Sequence, residues 1–239
     1  MCNLYEAPTP VALYEYFGVR TPSEYSRDMS PLGSGPFIRQ DMDCQIGQWG
    51  MIPPGSREHI PKTSQGKRMS TNNARRERMA TAFTFRRAWS RGQRCLIPAA
   101  SFVEPYWGIS HKDPMTQGKH VRWRFRRSDG QPWALAGLWD EWTENATGQI
   151  WLSFTMITQN CDGHPILSLM HKPDPKAGLD QQDKRTPVPI ERADWDLWLH
   201  GPVQAAEGLI QVPPAGRFIH GPADPSVSMQ LPISNPSPA

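Results

Sequence analysis

Cys2 stands where removal of Met1 would leave a thiol and a free α-amino group on adjacent carbons. The reference pKa values of these groups, about 8 for an α-amine and about 8.5 for a thiol, leave both partly nucleophilic at neutral pH. Such a 1,2-aminothiol condenses with aldehydes. The amine forms a Schiff base with loss of water, and the thiolate then closes on the imine carbon to give a five-membered thiazolidine ring. No internal cysteine can do this. A cysteine that merely happens to be second in the chain is the plain alternative.

Other residues offer compatible chemistry. Glu104 ends the apolar stretch Leu96-Ile-Pro-Ala-Ala-Ser-Phe-Val103 and is followed by Pro105-Tyr-Trp107. A carboxyl among such neighbours loses hydration, which raises its pKa toward the range useful for proton transfer; a solvated strand-end glutamate is the other reading. In Ser70-Thr-Asn-Asn-Ala-Arg-Arg-Glu-Arg78, amide and guanidinium groups gather where a helix is expected to begin. That setting suits a phosphate, although Asn72 or Asn73 could equally serve as an N-cap. His171 follows the apolar run Pro165–Met170 and by itself says little. In Val121-Arg-Trp-Arg-Phe-Arg-Arg127 a period of two separates Val121, Trp123 and Phe125 from Arg122, Arg124 and Arg126. The arginine face could follow a nucleic-acid backbone with aromatic rings nearby for bases, or could simply keep a strand soluble.

The elements that must position these groups are short. Apolar spacing predicts a helix over Pro10–Gly18, a helix over Ala74–Arg91 closed by Gly92, and another over Arg192–His200. Strands are expected at Ile46–Ile52, Cys95–Pro98, Ser101–Glu104, Val121–Arg127, Trp133–Trp139, Ile150–Thr158 and Leu209–Val212. Loops are expected over Thr21–Pro36 and Lys172–Arg185, and the Pro/Ser-rich segment Pro222–Ala239 reads as a mobile tail after one domain spanning residues 1–221. Without regular βαβ alternation, the pattern indicates an α+β domain built on an antiparallel sheet or distorted barrel.

Composition agrees with that class. The 239 residues suffice for a single large domain, and 25 prolines, about twice the average share, favour short strands and turns over a helical bundle. No run approaches the length of a membrane span and no signal stretch opens the chain, so a soluble cytoplasmic protein is expected. The four cysteines, Cys2, Cys44, Cys95 and Cys161, lack CxxC spacing and a secreted context, which argues for reduced thiols and against a zinc site. Net charge is only +3, but arginines concentrate at Arg75–Arg94 and Arg122–Arg127, a local field that suits an anionic partner.

Taken in order, Met1-Cys2, Trp49-Gly-Met-Ile-Pro53, Asn73-Ala-Arg-Arg-Glu77, Arg94-Cys-Leu-Ile-Pro-Ala99 leading to Glu104, Ala136-Gly-Leu-Trp139, Thr158 and His171 resemble the SOS-response-associated peptidase (SRAP) family. The resemblance implies a β-barrel-like antiparallel sheet flanked by a few helices, and action on abasic sites in single-stranded DNA. It further implies that Cys2 forms the thiazolidine with the ring-opened abasic deoxyribose. Asn73 would position the sugar, Arg75 would hold a phosphate, and Glu104 with His171 would move protons. Thr158 and Trp49 are weaker transfers, contacting or architectural. Loss of Met1 would be self-processing or the work of a separate aminopeptidase. No cofactor or metal is implied, and a monomer is the default for a protein tracking one strand.

The chain also departs from the family. Asn3-Leu4 replaces the glycine and arginine many members place after the cysteine, and the tryptophan some relatives carry before the Asn-Ala-Arg motif is missing from Gly66–Thr71. Arg185-Thr-Pro187 is the counterpart of a segment that relatives place directly after the histidine, and an insertion from Lys172 to Lys184 intervenes. Two other function classes stay open on the residues themselves. One is an N-terminal-nucleophile amidohydrolase using Cys2; the other is a non-covalent single-strand-binding module.

Overall fold

In the computed structural model, which describes residues 2–108, 116, 118–178 and 180–226, strands dominate. In chain order they are β1 (Leu4–Glu6), β2 (Asp28–Met29), β3 (Ser34–Ile38), β4 (Cys44–Trp49), β5 (Asn73–Arg75) and β6 (Arg94–Ala99). There follow β7 (Ser101–Tyr106), β8 (Val121–Arg127), β9 (Trp133–Thr143), β10 (Ile150–Asn160), β11 (Arg185–Pro187) and β12 (Phe218–Pro222). Five short helices are α1 (Pro10–Phe17), α2 (Arg76–Met79), α3 (Arg86–Ser90), α4 (Trp195–His200) and α5 (Val203–Gly208).

β3, β4, β6, β9 and β10 close on themselves, because β10 pairs with β4 on one side and with β9 on the other. The result is a five-stranded barrel, antiparallel except where β4 meets β10. The barrel is tight at Gly137, where a Cβ would come within 2.8 Å of Cys95 Sγ and 2.9 Å of the Thr155 carbonyl oxygen. Beyond the stretch paired with β4, β10 carries β5 in parallel, and beyond the stretch paired with β9 it carries β11 antiparallel. A second sheet runs in the order β12-β8-β7-β1-β2. The fold is therefore α+β and barrel-based, as expected.

One apolar core, including Trp49, Phe102, Trp123, Phe125, Trp133 and Phe154, contains Cys2 and lies where the second sheet meets the barrel. Another, including Leu13, Phe17, Trp89, Trp195 and Trp198, packs the helices on the barrel. The sequence of α1 explains its limits: Thr9 accepts from the Ala12 amide at 3.1 Å, Pro10 begins the first turn, and Gly18 ends the helix at φ 73°.

Three expectations need correction. The helix expected over Ala74–Arg91 is divided into β5, α2 and α3, because Ala74 lies fully buried in a strand that pairs with β10. Tertiary pairing overrides helix propensity there. Asn72 and Asn73 therefore cap no helix, and α2, four residues long, has no side-chain cap. Leu209–Val212 forms no strand; α5 precedes it, and the last strand is β12. The loop over Thr21–Pro36 contains β2 and the start of β3. Of the tail from Pro222, residues 227–239 lie outside the described residues. No helix among the described residues is long and apolar enough to cross a membrane.

Candidate active site

β7 alternates its side chains so that Phe102, Glu104 and Tyr106 face inward, with Glu104 opposite Trp123 of β8. The carboxyl is almost wholly buried, and burial pushes its pKa up to about 7 against the opposing effect of the neighbouring Cys2 thiol. Neither Glu104 oxygen meets a well-aligned donor among the described residues. Cys2, immediately before β1, is also buried. Its thiol donates to the Leu4 carbonyl at 3.5 Å, and burial, reinforced by the Glu104 charge, holds its pKa well above the usual thiol range.

The Cys2 backbone is gripped from the barrel side. Asn73 Nδ2 donates to the Cys2 carbonyl at 2.7 Å and Asn72 Nδ2 donates to the same oxygen at 3.2 Å. Asn72 also reaches Asn3 Oδ1 at 3.1 Å, so the residue that departs from the family pattern after the cysteine helps brace the site. Trp49 supports this pair from beneath, its indole N–H donating to the Asn72 carbonyl at 2.9 Å. Fully buried, Trp49 has no surface to offer a base, and its role is architectural. Thr158 is buried on β10, two residues beyond Met156, the β-partner of Asn73. Asn73 Oδ1 and Thr158 Oγ1 are both buried without a hydrogen-bond partner among the described residues. Buried polar atoms rarely lack partners, so both are unusual.

His171 arrives from the far side and brings Nε2 to 3.2 Å from Glu104 Oε2. Its backbone is left-handed at φ 62°, an unfavourable state for a non-glycine residue. Three contacts hold it there. Its amide donates to the Pro105 carbonyl at 2.6 Å, Lys184 Nζ donates to its carbonyl at 2.6 Å, and its Nε2 lies 3.2 Å from the Arg185 carbonyl oxygen. That last contact assigns the ring proton to Nε2. Burial drives the His171 pKa down to about 3, so the ring is neutral at neutral pH.

The ends of the inserted loop converge on the same place. Asp162 accepts from the Asp183 and Lys184 amides at 2.9 Å each. Lys184, itself buried, has a pKa lowered by burial. Arg185 binds Glu77 through two nitrogens, at 2.7 and 2.5 Å, and Asp183 through Nε at 2.8 Å. Arg75 reaches Asp183 at 2.8 Å. Arg75 thus stands at the rim, half-exposed, with an acidic partner.

The structure therefore gathers Cys2, Asn73, Glu104 and His171, four residues more than a hundred positions apart at the extremes, around one buried point. Thr158 lies on β10 between Arg75 and Pro187, and Arg75 stands at the edge. Arg122 and Arg124 do not join them: they face outward from β8, on the side opposite Trp123. Sequence reasoning missed the carbonyl grip of Asn72 and the bond from Lys184 to His171. The first was hidden behind a capping signature; the second was signalled only by an acid-Lys-Arg run closing a loop.

The profile of the SOS response associated peptidase (SRAP) family matches residues 8–227. The chain belongs to this family. The chicken (Gallus gallus) abasic site processing protein HMCES is 25% identical over 167 residues, covering 61% of this chain and 48% of that protein. The chain thus spans about half the length of that relative. Among solved structures, a protein from Bordetella bronchiseptica superposes with a TM-score of 0.79 at 33% identity, covering 93% of this chain and all of the other. A protein from Bacteroides thetaiotaomicron shares the fold alone, with a TM-score of 0.71 at 16% identity over 95% of this chain and 98% of its own.

Proposed function

We propose that this SRAP protein reacts with abasic sites in single-stranded DNA and becomes covalently joined to them through Cys2, shielding the lesion from strand cleavage. The observation that carries this reading is the placement of the Cys2 thiol within reach of a carboxyl whose pKa lies near 7, with a neutral His171 at 3.2 Å on its other side. A general acid–base works best when its pKa is near the working pH. At pH 7 Glu104 is present in both forms, so it can donate a proton and then retrieve one.

The chemistry balances without a cofactor. Protonated Glu104 gives its proton to the sugar ring oxygen as the C1′–O4′ bond breaks, and the C1′ hydroxyl proton returns to the carboxylate, leaving an open aldehyde. With Met1 gone, the Cys2 amine attacks that aldehyde and water leaves, giving an imine. The thiol, held protonated by burial, needs a base only when the C–S bond forms. Glu104 takes its proton and passes one to the imine nitrogen, which becomes the ring N–H. His171 Nε2–H stabilises the carboxylate in each unprotonated interval. Asn73 and Asn72 keep the Cys2 backbone from swinging as the ring closes. Arg75 exchanges Asp183 for a phosphate next to the lesion.

The same carboxyl could help release Met1, which would make the peptidase activity a self-processing step and not a protease directed at other proteins. Mixing the purified protein with a single-stranded oligonucleotide containing one abasic site, followed by denaturing electrophoresis and intact mass analysis, tests the reading. An adduct should form only with the abasic strand, require the mature protein lacking Met1, and vanish in Cys2→Ala. An adduct that persists in Cys2→Ala, or equal reaction with an undamaged strand, overturns it. A protein without adduct but with amidase activity would indicate an N-terminal-nucleophile hydrolase.

A further inference from the structure

We propose that the outer face of β8 and β12 is a second contact surface for the backbone of single-stranded DNA, separate from the Cys2 pocket and able to hold a stretch of strand that does not react. The proposal deepens the reading above and rests on it for the identity of the nucleic acid.

Glu104 and Trp123 face one side of the second sheet, and Arg122, Arg124 and Arg126 face the other. Alternate residues of a strand lie about 6.8 Å apart. Three guanidinium groups are therefore spaced along a line, as successive phosphates of an extended strand are. None of the three forms an ion pair among the described residues; of the acids around them, Asp28 also has no ion pair among the described residues, and the others are engaged. Glu6 binds Arg27 at 2.5 Å, Asp129 and Glu191 bind Arg127 at 2.6 and 3.3 Å, and Asp224 accepts from Ser226. Arg124 Nε is buried and without a hydrogen-bond partner among the described residues.

The surface around them is concave. Arg124 divides two grooves, one of about 540 Å³ that also touches Arg122, Val103 and, on its far wall, Glu6 and Asp28, and one of about 290 Å³ that also touches Arg126, Ile219 and Gly221 and holds no acid. Gly221 lies opposite Arg124 and Ile219 opposite Arg126. A Cβ at Gly221 would meet nothing within 4 Å, so the groove floor is open at the middle arginine. Ile219 is 57% exposed and offers an apolar face to a base. Edge protection does not explain the arginines, because β8 is not an edge strand: β12 and β7 flank it.

Binding of an undamaged thirty-nucleotide oligothymidylate, followed by fluorescence anisotropy across a potassium chloride series, tests this without any covalent step. Each phosphate contact on a single strand contributes about −0.7 to the slope of log affinity against log salt. Replacing Arg122, Arg124 and Arg126 together by Gln should therefore make the slope shallower by about 2. Between 50 and 200 mM salt the wild-type protein should lose roughly 18-fold more affinity than this variant. The single variants Arg122→Glu and Arg126→Glu, at exposed positions, provide the same reading should the triple variant fold poorly, each with a weakened affinity and a shallower slope. Crosslinking to a short abasic oligonucleotide at saturation should be unchanged in all of them. Equal slopes in wild type and variants, or a wild-type protein that does not bind the undamaged strand, overturn the proposal. Failure of the Cys2 chemistry would instead leave the salt slopes as expected and remove only the adduct.

Discussion

Replacing Glu104 by Gln should make the protein more stable at pH 8 while making it a slower catalyst. The carboxyl is buried and its pKa is lifted from 4.5 to about 7 in the folded state. Because the folded pKa lies above the unfolded one, the favourable contribution is fully present below pH 4.5 and is lost as pH rises through 7. At about 1.4 kcal/mol per pH unit, ionised Glu104 costs about 3 kcal/mol of stability at pH 8 relative to pH 4. Gln keeps the shape and never ionises. The stability difference between variant and wild type, from urea unfolding across pH 4 to 8, should start at a small constant value and grow by up to about 3 kcal/mol. For a chain of this length that corresponds to roughly 6–12 °C in melting temperature. Over the same range the rate of adduct formation should fall by about 10²–10⁴-fold, the usual contribution of a positioned acid–base group. A difference in stability that does not change with pH would refute the buried, elevated carboxyl, and an unchanged rate would remove Glu104 from the chemistry.

Three further outcomes are expected. Lys184→Met removes a charged donor from the His171 carbonyl and should cost about 1.5–3 kcal/mol in urea unfolding, with slower adduct formation that Lys184→Arg partly restores. Asn73→Ala leaves the Cys2 carbonyl with Asn72 alone; single-turnover measurements should show slower ring closure at nearly unchanged affinity for the undamaged strand. Gly137→Ala drives a methyl group against Cys95, Ile97 and the Thr155 carbonyl and should lower stability by about 1–3 kcal/mol, readable by thermal melting, without changing the chemistry of mature protein that remains folded.

What the sequence disclosed, and what it did not, follows from the range of each interaction. Period-two alternation located the β8 faces correctly, because alternation is a property of consecutive residues and needs no knowledge of the partner strand. The N-cap, N1 proline and closing glycine of α1 are likewise local. Residues 74–91 misled for the complementary reason: their composition favours a helix, but β10 recruits Asn73–Arg75 as a parallel strand, and that decision is made by a segment some eighty residues away. That recruitment creates the site. In a strand, Asn73 points its amide at Cys2; as a cap it would have pointed at its own backbone.

The pairing of Glu104 with His171 was legible only as two residues of suitable type, since nothing local ties position 104 to position 171. The tie is made by backbone. The His171 amide bonds to the carbonyl of Pro105, the residue after Glu104, and Lys184 secures the other side of the same residue through its carbonyl. These bonds fix a left-handed histidine that would otherwise relax away from the carboxyl. The insertion between Lys172 and Lys184 therefore does more than extend a surface loop. It returns to the site through Asp183, Lys184 and Arg185, which are pinned by Asp162 and Glu77, and supplies the cation that holds His171 against Glu104. The segment is bound to His171 at its far end by Lys184 and braced within itself by Gln182, which bonds to Asp174, Ala177 and Gly178, so the position of His171 depends on residues that lie more than ten positions beyond it.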